Sequence, residues 1–332
     1  MSPREKAPPG AAGIVNRARA ALLGGAVGDA LGATTEFMKP SQILDRFGVH
    51  KEIVGGGWLK LPPGRVTDDT EMTLCVARGI VEPGRWNLAA IADRFARWLS
   101  GGPVDVGATC RRGIERYTGN GMLESPPNEM AAGNGAAMRV GPVALYTLGD
   151  EELLSRLAVE QARITHHHPL SDAACVAVGR LIQRGILGTP VRGLRAAAEE
   201  LARRHPVFRF EGYDGESSGY VPDTLRTVLD AFFSTESFEE CLVKTVNRGG
   251  DADTTGAIAG GIAGARYGLD AIPRRWLQAL GGTLREELSG LAEELVREWG
   301  APPPTTTPLD PPVACAFRAV FPIHYGIHEL TH

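Results

Sequence analysis

Hydrophobic residues recur along most of this chain with a period near 3.6, the spacing of amphipathic α-helices. Alternating β-branched runs are scarce, and no β-hairpin signal stands out. The pattern therefore predicts an all-α, compact multi-helix domain over residues 14–300. The predicted helices cover residues 17–32, 69–81, 88–99, 140–148, 153–163, 172–186, 194–204, 222–233, 238–246, 273–280 and 284–299, with a further helix carrying Arg111 and Arg116 and another following Asp253.

Two of these segments contain glycines spaced four residues apart. Residues at this spacing share one face of a helix. Each glycine costs roughly 1 kcal/mol of helix propensity relative to alanine, so the pattern indicates that another backbone comes very close to that face. We expect the two segments to pack on each other. The glycines are Gly24, Gly28 and Gly32 in the first segment, and Gly256, Gly260, Gly264 and Gly268 in the second.

Two stretches far apart in the chain each place threonine beside two carboxylates, just before an apolar helical run. They are Thr67-Asp68-Asp69 and the segment Asp251-Ala-Asp-Thr254. Hydroxyl and carboxylate oxygens are the ligands that Mg²⁺ and Mn²⁺ prefer, and two such stretches can flank a pair of cations. In the alternative interpretation these acids only begin helices, and Asp68 with Glu71 forms a capping box.

Composition excludes several classes of protein. The 332 residues carry a net charge of −4 with a pI near 6.1, and no long Lys/Arg block is present, so we expect no nucleic-acid partner. The five cysteines are scattered and form no C-x-x-C pair, which favours buried free thiols in a reducing cytosol.

The two ends of the chain differ in composition from the helical region. Residues 1–13 lack an apolar run, so they predict a disordered segment rather than a signal peptide, and residues 301–332 predict a Pro-rich linker and an apolar tail. The small-residue apolar run over 257–265 is too short to span a bilayer. We therefore expect a cytoplasmic protein without a transmembrane segment.

Six motifs, taken in order, resemble those of the ADP-ribosylglycohydrolases. They are G-D-A-L-G-A-T-T-E-F, V-T-D-D-T, P-V-D-V-G, G-N-G-A-A-M-R, I-T-H-H-H-P and G-G-D-A-D-T-T-G. The resemblance extends over about residues 17–300. It implies an all-α fold with a binuclear Mg²⁺ or Mn²⁺ centre. The ligands it implies are Thr67, Asp68 and Asp69 from one motif, and Asp251, Asp253 and Thr254 from another.

The resemblance also implies two catalytic carboxylates. Glu36 matches an acidic residue that approaches the metals and can hold a water, and Asp105 matches an acid that faces the scissile bond or the substrate guanidinium. The alternative for Asp105 is a turn-stabilising aspartate. Ala108 stands where asparagine is expected in close relatives, so contacts around Asp105 are expected to differ.

An ADP-ribose-binding surface is implied by three further matches. The backbone of Gly133, Asn134, Gly135 and Ala136 matches a loop that cradles phosphate and ribose, and main-chain N–H groups of such turns bind anions. His166 matches a residue that contacts the diphosphate or ribose, and its histidine neighbours cannot all face one metal. Tyr220 resembles a position that stacks on adenine, although a purely structural role is the alternative.

The implied reaction is hydrolysis of the N-glycosidic bond between ADP-ribose and an arginine side chain, through an oxocarbenium-like transition state. The resemblance implies ADP-ribosylated dinitrogenase reductase as the substrate. It also implies a PII-type nitrogen-signalling protein as partner, with reversible membrane association through a partner. The rival hypotheses are a hydrolase of another ADP-ribose linkage or protein, and a metal-dependent ADP-ribose-binding module without turnover.

Overall fold

The computed structural model describes residues 9–297 and Trp299, and within them the regular structure is helical. This confirms the all-α prediction. The helices are α1 (Ala11–Gly32), α2 (Pro40–Phe47), α3 (Asp68–Val81), α4 (Leu88–Ser100), α5 (Ala108–Asn120), α6 (Gly141–Tyr146), α7 (Glu151–Arg163), α8 (Pro169–Ile186), α9 (Val191–Arg204), α10 (Val221–Phe233), α11 (Phe238–Val246), α12 (Ala252–Tyr267), α13 (Arg274–Ala279) and α14 (Gly282–Val296).

Helices α1 and α12 pack against each other along most of their length at the centre of the fold. A Cβ atom on Gly28 would come closer than 3.0 Å to the backbone of Gly256, and one on Gly260 would do the same to Gly24. The prediction that the two glycine-ridged segments are in contact is therefore confirmed. Gly268 differs from the other glycines, because it follows the end of α12 with a φ of +85° and lies against the Asn16 side chain of α1 rather than against its backbone.

The remaining helices surround this pair and bury its other faces. Helices α8, α10 and α11 pack on α12, whereas α14 packs on α1. Because α1 and α12 are covered on several sides, both are apolar around most of their circumference. The outer helices are more strongly amphipathic, and several begin at side chains that accept a hydrogen bond from the first turn, such as Asn87, Asp150 and Ser237.

One added helix and several helix boundaries differ from the sequence-based expectation. Helix α2 occupies a segment for which we predicted no helix, and Ile43 is its one buried side chain. Helix α1 begins at Ala11, so residues 11–13 of the segment expected to be irregular are helical. Helix α14 ends at Val296 rather than at residue 299. The predicted linker and tail over 301–332 lie outside the described residues.

Other predictions concern the thiols and the membrane. Four cysteines, Cys75, Cys110, Cys175 and Cys241, are buried and free, as expected, and Cys315 lies outside the described part of the chain. Within the described residues, no helix combines the length and the apolar character needed to cross a bilayer.

Candidate active site and metal centre

A cavity of about 1280 Å³ opens where the N-terminal ends of α3 and α12 meet the segment that follows α1. Predicted site residues contribute much of its wall: Glu36, Asp68, Asp105, Gly133, Asn134, Gly135, His166, Asp251, Asp253 and Thr254. Residues far apart in the sequence therefore share one cavity. The N-termini of two helices point their positive dipole ends toward this region, which favours carboxylates and anionic ligands there.

The two acidic stretches meet across the contact between α3 and α12. The Thr254 hydroxyl donates a hydrogen bond to Asp69 Oδ2 over 3.2 Å, and the Thr67 hydroxyl oxygen lies 3.2 Å from the same carboxylate oxygen. Glu36, Asp251 and Asp253 each offer a carboxylate oxygen, and these three atoms lie within 4.8 Å of one another. The structure thus brings together hard oxygen donors from three parts of the chain.

Asp29 organises this cluster, and the sequence analysis assigned it no role. It is fully buried on α1, and its carboxylate accepts hydrogen bonds from the backbone N–H and hydroxyl of both Thr67 and Thr70. These four bonds hold the first turn of α3 against α1. The position of Asp29 on the buried face of a glycine-ridged helix is the signal that could have indicated such a role, because an unpaired carboxylate there is costly.

The buried acids of the cluster lack enough protein donors. Asp69 Oδ1 and Asp253 Oδ1 are both buried without a hydrogen-bond partner among the described residues. Burial raises the pKa of both carboxyls well above the usual value, and repulsion from neighbouring carboxylates raises it further. Orphaned, closely spaced oxygens of this kind fit divalent cations, which would supply the missing positive charge.

Without bound cations, we expect the protein to lose stability as the pH rises. Burial raises the pKa of Asp68 from 3.8 to about 7 and that of Glu36 from 4.5 to about 8. The folded state then holds protons that the unfolded state releases, so the free energy of unfolding falls between about pH 4 and about pH 8. Thermal unfolding in a chelator across this range measures the effect, and an unchanged pH slope in Asp68→Asn would contradict it.

Glu36 lies beside an aromatic pair at the mouth of the cavity. The indole Nε1–H of Trp58 donates to Glu36 Oε2 over 2.6 Å, and the Trp58 ring contacts that of Phe37 at a centroid distance of 5.3 Å. Phe37 has a φ of +59°, and its backbone N–H donates to the Gly250 carbonyl over 2.6 Å. Glu36 is therefore held at both its side chain and its backbone neighbour, facing Asp251 and Asp253.

Replacing Trp58 by phenylalanine tests this hydrogen bond, because the ring is kept and the N–H donor is lost. A hydrogen bond to a charged acceptor contributes enough that we expect kcat to fall about tenfold. Trp86→Phe is the matched control, since Trp86 Nε1 donates to Glu160 away from the cavity. Steady-state kinetics with both variants gives the answer, and equal kcat values would remove Trp58 from the positioning of Glu36.

Asp105 also lines the cavity, in the loop before α5. Its Oδ1 accepts from the backbone N–H of Val106 over 2.7 Å, and the N–H of Gly107 donates to Asp68 Oδ2 over 3.4 Å. Burial raises the pKa of Asp105, and the charge of Asp251 raises it further. One turn thus places Asp105 in the cavity lining and anchors its loop to the acidic cluster.

The predicted ADP-ribose-binding residues fall into two groups. His166 and the Gly133–Gly135 segment line the cavity, although the Asn134 amide donates to Asp251 Oδ2 over 2.7 Å and so supports the acidic cluster. Ala136 and Tyr220 are not part of the lining: Ala136 is buried, and Tyr220 precedes α10 with 43% of its surface exposed. Arg248 and Trp58 also line the cavity, and neither was predicted from the sequence to be a site residue.

Comparison with known proteins adds to this geometry. The family model described as ADP-ribosylglycohydrolase matches residues 11–304. The ADP-ribosyl-[dinitrogen reductase] glycohydrolase of Rhodospirillum rubrum is 50% identical over 283 residues, covering 85% of this chain and 96% of that protein. The ADP-ribosylarginine hydrolase Tri1 of Serratia proteamaculans is 33% identical, covering 85% and 79%. A solved ADP-ribosylglycohydrolase-related protein complex contains a chain that superposes with a TM-score of 0.75 at 39% identity, covering 86% and 98%.

Proposed function

The chain belongs to the ADP-ribosylglycohydrolase family, and we propose that it hydrolyses the N-glycosidic bond between ADP-ribose and an arginine side chain of a protein. The observation that carries this proposal is the cavity in which Glu36 and Asp105 face an oxygen-rich acidic cluster. Its relatives named as an ADP-ribosyl-[dinitrogen reductase] glycohydrolase and an ADP-ribosylarginine hydrolase support the choice of an arginine linkage.

The residues proposed to hold two divalent cations, Mn²⁺ or Mg²⁺, are Thr67, Asp68, Asp69, Asp251, Asp253 and Thr254. The two orphaned carboxylate oxygens and the hydroxyls beside them support this assignment. Bound cations supply Lewis-acid chemistry, orienting ligand oxygens and making water a stronger nucleophile at neutral pH. The Asn134 amide on Asp251 and the Asp29 clamp on Thr67 keep two of these ligands oriented.

The two remaining carboxyls are proposed to move protons. Glu36 Oε2 accepts from Trp58, which leaves Oε1 free to take a proton from the attacking water. Asp105 lines the same cavity, and its raised pKa suits a group that pairs with, and protonates, the departing guanidine.

Release of ADP-ribose from an arginine-ADP-ribosylated protein is the direct test. The purified protein with Mn²⁺ is expected to liberate free ADP-ribose, and a chelator is expected to stop the reaction. A serine-ADP-ribosylated protein serves as the parallel substrate. Turnover of the serine linkage alone would show that the protein is specific for serine-linked rather than arginine-linked ADP-ribose. Tight ADP-ribose binding without turnover of either substrate would identify a binding module.

Asp105→Asn is expected to separate catalysis from binding. The amide keeps the size of the side chain but cannot exchange a proton, and a positioned acid–base group typically contributes about 10²–10⁴-fold to the rate. We therefore expect kcat to fall by that order while the Kd for ADP-ribose, measured by calorimetry, stays within a few-fold. A loss of affinity equal to the loss of rate would assign Asp105 to ground-state binding.

The proposed protein substrate is ADP-ribosylated dinitrogenase reductase, supported by the relative at 50% identity whose name carries that substrate. A PII-type nitrogen-signalling protein is the proposed regulatory partner. Reversible attachment of an otherwise cytoplasmic protein to a membrane through a partner belongs to the same proposal. Reactivation of ADP-ribosylated dinitrogenase reductase in vitro, with and without the PII-type protein, tests both.

A further inference from the structure

A buried guanidinium lies directly behind the cavity wall. Arg139 is fully buried, and it forms no ion pair with a carboxylate among the described residues. Its Nε donates to Gln161 Oε1 over 3.0 Å, and Nη2 donates to Thr165 Oγ1 over 2.8 Å, while its Cζ lies 4.5 Å from the centroid of the Phe95 ring. A guanidinium is a donor in every hydrogen bond it makes, so these bonds have only one possible direction.

Because Arg139 donates to the Thr165 oxygen, the hydrogen of the Thr165 hydroxyl must point to another partner. The Thr165 oxygen accepts from Arg139 and also lies 2.8 Å from His166 Nδ1. If Nδ1 carried a proton, the buried hydroxyl would face two donors, and its own hydrogen would have no acceptor among its hydrogen-bond partners. Leaving a buried donor unpaired is costly, so the arrangement favours a hydroxyl that donates to an unprotonated Nδ1.

The other nitrogen of the ring then carries the proton. His166 Nε2 makes no hydrogen bond within the described part of the protein, and the side chain lines the cavity beside Gly133 and Gly135. Burial, and to a lesser extent the charges of Arg139 and Arg112, lower the pKa of His166 to about 3. The ring is therefore neutral, and its single N–H lies beside Gly133 and Gly135 in the cavity lining.

The same arginine supports the adjacent backbone loop. Gln161, which accepts from Arg139 Nε, donates through Nε2 to the carbonyl of Ala136 over 3.0 Å. Gln161 and Arg139 are both fully buried, so water does not compete for these two hydrogen bonds. One buried cation thus holds the imidazole on one side of the cavity wall and the Gly133–Ala136 loop on the other.

We propose that Arg139 and Thr165 are positioning residues that fix His166 as a neutral Nε2–H donor to a ligand oxygen. Identifying that oxygen as one of the diphosphate or ribose oxygens of ADP-ribose rests on the proposed function. The role of Arg139 and Thr165 in setting the tautomer does not, because it follows from hydrogen-bond directions within the protein alone.

The test uses the full-length protein with Mg²⁺, which is diamagnetic and leaves the NMR signals near the cavity observable, and compares Thr165→Ser with Thr165→Ala. Both variants lose the same methyl group, and only serine keeps the hydroxyl. In protein labelled with ¹⁵N-histidine, long-range ¹H–¹⁵N correlations report the tautomer, and the His166 signals are assigned by their absence in His166→Gln. We expect the neutral Nε2–H form in the wild type and in Thr165→Ser, and a shift toward the Nδ1–H form in Thr165→Ala.

Calorimetry with ADP-ribose gives the second readout. Thr165→Ala is expected to weaken binding about tenfold through the lost orientation of one donor to an anionic ligand, and Thr165→Ser is expected to bind within a few-fold of the wild type. Thr245→Ala is the matched control, because the buried Thr245 hydroxyl donates to the Cys241 carbonyl within its own helix, α11. It should change neither the His166 signals nor the affinity.

Each result has one meaning. A wild-type His166 that is cationic or Nδ1-protonated at neutral pH overturns the proposal. An unchanged tautomer and affinity in Thr165→Ala overturn it as well. A wild type that shows the Nε2–H tautomer but does not bind ADP-ribose supports the positioning role and removes the proposed function.

Discussion

Asp253→Ala is expected to abolish hydrolysis and cation uptake while leaving the cation-free protein at least as stable as the wild type. Asp253 lies in the first turn of α12 with 2% of its surface exposed, and its Oδ1 has no partner among the described residues. Burial and the neighbouring carboxylates raise its pKa, so in the absence of cations this side chain weakens the fold. Cation binding would offset this loss of stability.

Asp253→Ala is expected to lower activity without lowering the stability of the cation-free protein, and this combination makes the experiment specific. Loss of a cation ligand removes several kcal/mol of transition-state stabilisation, so we expect a rate lower by roughly 10³-fold or more. In the wild type, Mn²⁺ should raise the melting temperature by binding only the folded state, and in Asp253→Ala this rise should disappear. Helical content by circular dichroism should be unchanged.

Asp270→Ala is the control, because Asp270 is an exposed aspartate beyond the opposite end of α12. It should retain activity, Mn²⁺ content and the Mn²⁺-dependent rise in melting temperature. Full Mn²⁺ occupancy in Asp253→Ala, measured by metal analysis, would remove this residue from the ligand set. A large drop in the stability of its cation-free form would instead indicate that Asp253 is a structural residue.

Gly260→Ala is expected to destabilise the protein, although alanine favours helices by about 1 kcal/mol over glycine. A Cβ at this position would come closer than 3.0 Å to the carbonyl oxygen of Gly24, and backbone atoms cannot rotate away as a side chain can. Overpacking of a tight core typically costs about 1–3 kcal/mol. The same separation of helices would shift Asp253 and Thr254 relative to Glu36, so activity should fall as well.

Gly290→Ala makes the same chemical change but is expected to have the opposite effect on stability. Gly290 lies within α14, and nothing lies within 4 Å of the position that its Cβ would take. This variant should gain up to about 1 kcal/mol of stability and keep full activity. Urea denaturation of both variants decides the matter, and equal stabilisation would mean that α1 and α12 are not in close contact.

The order and nature of the helices were determined largely by local sequence. The 3.6-residue period and the glycine spacing are readable within short windows, because neighbouring turns of one helix interact wherever the chain goes. The same locality explains why the oxygen-rich turns before α3 and α12 were recognised as candidate ligands. Helix α2 was missed because it has only 8 residues, fewer than the window over which the helical period is recognised.

The arrangement around those ligands was decided by the tertiary structure. Asp29 binds Thr67 across 38 positions in the sequence, Trp58 reaches Glu36 across 22, and Arg139 reaches Thr165 across 26. No periodicity marks such pairs, since each depends on which faces of distant helices come together. The sequence alone therefore determined the helices and the candidate oxygen ligands that they carry. Only packing decided which buried polar groups hold those ligands in place, because burial makes each group require a partner that the local chain cannot supply.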